Sequence, residues 1–198
     1  MPAGERRDQL LDAALEIIAR DGYAAVSIDA IARSVDVTRP VVYNLFDGLD
    51  DLLYALLDRQ ERRSLAQLAA SISLDVDLND LGGFIARTID DLIAMVTEDP
   101  SNWRLILTTS AATPAAVRAR IDGDREWVRR RIRAGVDHGL RAGVLSPGLD
   151  ADVVSHALIA IGEYFGRLLL DEPQKVERAA LGNTVGALLG ARSGSRNG

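Results

Sequence analysis

Residues 28–46 read IDAIARSVDVTRPVVYNLF, two apolar-striped pieces parted by three residues, the second interrupted by a proline. Neither piece can stand alone, since isolated helices shorter than about 12 residues are marginal in water. Each nevertheless signals where it begins. Ser27 precedes Ile28, Ile31, Ala32 and Val35, which share one face at helical spacing, and this predicts an N-capped helix over residues 28–34. Thr38 precedes Arg39-Pro40, so Pro40 falls at the second helical position, where its missing N–H has no intrahelical partner to lose. The proline therefore marks a helix start, with the Thr38 side-chain oxygen expected to accept a backbone N–H of the first turn. Val35-Asp36-Val37 is left as the turn, and Asp36 is a residue type that tolerates a left-handed backbone.

Two helices this short must be held by something larger. Residues 6–20 supply it: Leu10, Leu11, Ala14, Leu15, Ile17 and Ile18 form a stripe at helical spacing, stopped by Asp21-Gly22. Ile28, Ile31, Val35, Val42 and Phe46 can pack on that stripe. Further amphipathic stretches follow at 49–70, at 80–97, after Pro100, from Thr113-Pro114 to about Ala142, at 150–170 and at 174–190. The Arg-rich side of the 113–142 stretch reads as a solvated face. No stretch alternates long enough for a strand. Hydrophobic residues make up 47% but aromatics only 5%, so the core rests on Leu, Ile, Val and Ala, which favour helices over sheets. The expected class is all-α. Expected are a helix-turn-helix domain over residues 1–48, a larger helical domain over 49–192 and a disordered tail over 193–198.

Much chemistry is excluded. There is no cysteine, hence no disulfide, thiolate metal site or thiol nucleophile. His138 and His156 lack metal-ligand spacing, and there is no phosphate-binding loop or nucleophile elbow. Adjacent carboxylates such as Asp50-Asp51 diverge on a helix. No enzyme, metal or cofactor is expected. The N-terminus has no apolar targeting segment, and the run VVSHALIAIG, ending at Glu163, is shorter than the ~20 residues of a spanning helix, so a cytoplasmic protein with no membrane partner is expected. Net charge is −6, and residues 1–48 hold five arginines against eight carboxylates, a local balance of −3. A broad electrostatic grip on nucleic acid is thereby ruled out.

A helix, a short helix, a turn and a second short helix is the order of a helix-turn-helix unit. If Val42 and Phe46 face inward, Arg39, Val41, Tyr43 and Asn44 lie near the opposite, open face. A major groove about 12 Å wide accepts such a helix, and its first amides favour phosphate. The stretch VSIDAIARSVDVTRPVVYNLFDGLDDLLYALL resembles the DNA-binding segment of TetR-family (tetracycline-repressor-like) regulators, in its capping Ser27 and Thr38, the Tyr43 to Phe46 pair and Leu52-Leu53. The resemblance implies that Thr38 and Tyr43 contact phosphates while Arg39, Val41 and Asn44 touch bases or sugars, with Ser27 and Pro40 completing the DNA-binding set. Three positions depart from the pattern. Asp36 replaces the usual turn glycine, Leu45 a His or Tyr, and Leu49 a lysine, which predicts a weaker and less salt-dependent grip.

In the second half, residues 150–170 carry two apolar seams. Val154, Leu158, Ile161, Gly162, Phe165 and Leu169 form one; Val153, Ala157, Ala160, Tyr164 and Leu168 form the other. A helix apolar over this much of its girth must be covered on two sides. With Gly166 four residues after Gly162, and with Leu181, Val185 and Leu188 in the last helix, the pattern predicts a homodimer built from two helices per chain. The resemblance also implies a small-molecule effector among the middle helices, for which Phe84, Trp103, Arg104, Trp127, His138 and Tyr164 are the candidates. The expected function is a ligand-responsive dimeric repressor, released from a pseudo-palindromic duplex operator by the effector. The rival is a dimeric helical ligand-binding or protein-interaction module with weakened or lost DNA binding, which Leu45, Leu49 and the −3 balance motivate.

Overall fold

The computed structural model describes residues 2–71, 81–177, 180–182, 184–185 and 187, with the backbone alone for 64–71, 81–82 and 84–85. Among these, the helices in chain order are α1 (Ala3–Asp21), α2 (Ile28–Ser34), α3 (Arg39–Tyr43), α4 (Leu49–Ser71), α5 (Leu81–Glu98), α6 (Pro100–Leu107), α7 (Ala115–Arg141) and α8 (Ala151–Asp171), with 3₁₀ turns at Tyr23–Ala25 and Pro173–Lys175. The described residues contain no strand. The Leu188 position and the 193–198 tail lie outside the described residues.

The chain divides into two compact units, Met1–Leu68 with Asp99–Asp122, and Ala69–Glu98 with Gly123–Gly198. The first has one continuous core. The α1 stripe from Leu10 to Ile18 meets Ile28 and Ile31 of α2, Val42 and Phe46, then Leu52, Leu53, Leu56 and Leu57 of α4, and finally Leu105, Val117 and Ile121. Each such Leu or Ile contributes about 1.5–3 kcal/mol on full burial, and this total, not local propensity, keeps α2 and α3 helical. Polar ties close the unit. The Tyr23 hydroxyl donates to the Leu105 carbonyl at 2.9 Å, and Arg59 pairs with Asp12 at 2.8 Å. Arg120 pairs with Asp58 at 3.2 Å and with Glu61. The boundary expected at residue 48 is therefore not where packing divides, because the leucines of α4 and Leu105 of α6 complete the same core that α1 begins.

In the second unit α5 packs on α8. Ile93, Met95 and Val96 of α5 are buried, as are Ser155, Gly166, Leu169 and Leu170 of α8. A smaller cluster of Val136, Leu145 and Ala151 joins α7 to the loop before α8. The expected solvated arginine face of α7 holds for Arg130 and Arg131, which are exposed. It fails for Arg129, only 14% exposed, which pairs with Glu126 at 2.7 Å and with Asp152 at 2.8 Å. Arg125 likewise pairs with Glu163.

Two further expectations are corrected. The last helix does not begin at 174: residues 173–175 form a 3₁₀ turn, and helix resumes by 180–182. Pro173 disfavours helical backbone in the residue before it, and Glu172 has φ −141° and ψ 60°. The α8 helix, 21 residues long with a mean hydropathy of 1.4, is long and apolar enough by those measures to cross a membrane. Ending the apolar run at Glu163 understated it, because the helix continues through that residue, which is paired with Arg125 and with Arg167 at 3.7 Å.

Candidate nucleic-acid interface

The site begins with the Ser27 cap. Its hydroxyl oxygen accepts the Ala30 N–H at 3.1 Å, satisfying a donor that the first turn of α2 leaves over. The other end of α2 closes on Asp36, whose φ of 53° lies in the left-handed region. The Val37 N–H reaches back to the Ala32 carbonyl at 2.9 Å and the Asp36 N–H to that of Arg33 at 3.3 Å, the bond pair of a Schellman motif. Asp36 occupies the position glycine usually takes there, as its residue type allowed.

Helix α3 is only five residues long, with Pro40 in its first turn as expected. Val42 and Phe46 are buried at 0% and 2% exposure. Arg7 of α1 fastens the exit of α3. Its Nη1 donates to the Leu45 carbonyl at 2.9 Å, and its guanidinium lies 4.3 Å from the centroid of the Phe46 ring. On the other face Thr38, Arg39, Pro40, Tyr43 and Asn44 are exposed, with Tyr43 at 53%, while Val41 is half-buried.

One expectation changes here. Thr38 is the N-cap residue, but its side chain makes no capping bond. Its exposed hydroxyl is left facing outward, because the first turn is already aligned by Pro40 and by the Val41 N–H bonding to the Thr38 carbonyl at 3.0 Å. Arg39 is not a solitary cation: its Nε lies 2.7 Å from Oδ1 of Asp29 in the first turn of α2. Asp29 was legible as an acid suited to a helix N-terminus, but its place beside Arg39 depends on the angle between two helices, which no local pattern encodes. Arg7 escaped notice for the same reason. Leu45 and Leu49, where the pattern leads one to expect polar or basic groups, pack against the core.

The proposed effector residues are divided between the two units. Trp103 and Arg104 are half-buried on α6 in the first unit. In the second, Trp127 is 50% exposed with the Arg131 guanidinium 5.3 Å from its ring centroid, Tyr164 is 58% exposed, and His138 is exposed. The Phe84 side chain lies outside the described residues. An open concavity of about 400 Å³ over α1, lined by Glu5, Asp8, Asp12 and Glu16 among others, includes none of the six.

The residues expected in the dimer seam divide by burial. Gly166, Leu169 and Val185 are buried within the protomer, and Val154, Leu158, Phe165 and Leu181 are half-buried, because α5 and the Pro173–Lys175 turn cover that side. Ile161 and Gly162 of that seam are exposed, and they adjoin the exposed Val153 at 66%, Ala157, Ala160 and Tyr164 of the other.

Residues 10–56, from the α1 stripe to Leu56 of α4 and including the whole α2–α3 unit, match the family described as bacterial regulatory proteins, tetR family. The chain belongs to the TetR family. An HTH-type transcriptional regulator of Mycobacterium tuberculosis, Rv0472c, is 31% identical over 144 residues, which cover 68% of this chain and 59% of that protein. The chain thus matches somewhat under two thirds of that relative's length. The crystal structure of a TetR-family regulator from Streptomyces coelicolor is 27% identical, with a TM-score of 0.65 over 94% of this chain and 79% of that one. FadR from Bacillus subtilis, solved in complex with stearoyl-CoA, shares the fold at 20% identity, with a TM-score of 0.72 over 93% of this chain and 97% of that one.

Proposed function

We propose that this TetR-family chain is a cytoplasmic, homodimeric transcriptional repressor that binds a pseudo-palindromic duplex operator through α3 and is released by a small-molecule effector. The observation that carries the reading is the division of α3 into a buried side, Val42 with Phe46 just beyond it, and an open side bearing Arg39, Tyr43 and Asn44. A five-residue helix needs no such open aromatic and cationic face for packing. Dimerisation is supported by the apolar surface of Val153, Ile161 and Tyr164 on α8. Two copies would set their α3 helices about 34–36 Å apart, one turn of duplex. A small-molecule effector is supported by FadR having been solved in complex with stearoyl-CoA, and the half-buried Trp103 and Arg104 are the interior candidates for its contacts.

Selection from random duplex DNA, followed by a salt titration, tests the reading. A palindrome should be recovered and be lost on Arg39→Ala, and Tyr43→Phe should weaken it. Ile161→Glu should convert dimer to monomer in sedimentation and abolish operator binding. A reporter under the recovered operator decides repression. One observation favours the rival reading, a dimeric module with weakened DNA binding. Asp29, Asp36 and Asp47 surround α3, and Leu45 and Leu49 are committed to the core. No enrichment at low salt with an intact dimer would establish that rival.

A further inference from the structure

We infer that Asp29 determines operator specificity by holding Arg39 for a single guanine in each half-site. The inference rests on α3 being a DNA-reading helix. An arginine at the start of such a helix can reach either a phosphate or a base edge, and only the base contact carries sequence information. Near a polyanion, an unrestrained guanidinium is drawn to the nearest phosphate. Asp29 changes that choice. Its Oδ1 lies 2.7 Å from Nε of Arg39, with the two side chains 44% and 60% exposed.

So exposed a pair adds little to stability, and a carboxylate beside the DNA face works against affinity. Orientation is the effect that remains. The carboxylate engages the inner edge of the guanidinium and offsets its charge, and Asp29 is the ion-pair partner of Arg39 among the described residues. The outer donors are left for a planar acceptor pair. Guanine presents O6 and N7 in the major groove, which a bidentate arginine matches. Adenine places a donor at the matching position and pyrimidines lack the pair. The shared charge of Asp29 and Arg39 also fits the modest salt dependence expected of an interface with a −3 local balance.

The test is duplex selection and competition binding with the full-length dimer, wild type against Asp29→Ala and Asp29→Asn, each checked for folding by thermal melt. Wild type should prefer guanine at one position per half-site by about 5- to 150-fold, the discrimination of one bidentate arginine contact. Asp29→Ala should bring that preference down to a few-fold, leave the other operator positions unchanged, and steepen the log K against log salt slope by about one per half-site as Arg39 moves to phosphate. Asp29→Asn, nearly isosteric but uncharged, should show the same shift in slope. Arg39→Lys should lose the guanine preference while retaining overall affinity. The inference is overturned if wild type selects an operator that both Asp29 variants read with unchanged preference and slope, or if they lose all sequences equally while folded. Wild type selecting no operator at all would instead bring down the regulator reading, and this inference with it.

Discussion

Replacing Tyr23 with Phe removes one oxygen atom and tests how the first unit is closed. The Tyr23 ring is 3% exposed, and its hydroxyl donates to the Leu105 carbonyl at 2.9 Å. Leu105 lies in the last turn of α6, where carbonyls run out of helical donors. Phe leaves that buried acceptor without its donor, which costs about 1–3 kcal/mol. For 198 residues, an unfolding entropy of about 2.1 cal/mol/K per residue makes a loss of about 2 kcal/mol a fall of about 5 °C in Tm. The pH dependence adds a second, independent sign. Burial pushes the Tyr23 phenol well above its ordinary 10.0. The unfolded chain therefore releases this proton above about pH 10 while the folded chain keeps it, so the stability it contributes is full below pH 10 and declines above. The slope is about 1.4 kcal/mol per pH unit. Tyr23→Phe lacks that slope, and the wild-type advantage of about 2 kcal/mol should shrink to roughly 0.6 at pH 11. Chemical denaturation of both proteins at pH 7 and pH 11 measures it. A difference under about 0.5 kcal/mol at pH 7, or one that stays constant to pH 11, refutes the claim that this buried bond closes the unit.

Other perturbations are equally specific. Asp36→Gly relieves a left-handed aspartate, φ 53°; denaturant midpoints should stay level or rise by up to about 1 kcal/mol, and DNA affinity should increase at low salt. Gly182→Ala would place a Cβ 3.1 Å from the Ala86 carbonyl oxygen and 3.2 Å from Oδ1 of Asp90; despite the better helix propensity of alanine, Tm should fall, with a cost of about 1–3 kcal/mol from overpacking. Gln60 is 1% exposed and neither amide atom has a partner among the described residues; Gln60→Met should therefore be neutral or stabilising by about 1 kcal/mol in a thermal melt, and a clear loss would mean that something bound there satisfies the amide.

Local chemistry made the α2–α3 segment readable. Ser27 and Pro40 announce helix starts, and Asp36 can turn left-handed, so both helices fell where expected without any knowledge of their neighbours. The α1 stripe was readable because one helix face covers one core. What escaped was decided by tertiary geometry. The α8 helix is apolar over two seams, and periodicity reveals that both exist but not which residues α5 covers, as it does Gly166 and Leu169. The Asp29–Arg39 pair joins residues from two helices whose crossing angle follows from the packing of Ile31 and Val42. The Thr38 hydroxyl was assigned to its own helix, whereas the backbone there is aligned without it.

The attachment of α3 by Arg7, Val42 and Phe46 has a mechanical corollary. A segment of five residues has no shape of its own to adjust, so the reading head travels wherever α1 carries it. Any change in how α3 is presented then cannot come from bending α3; it requires moving the core of the first unit that holds it.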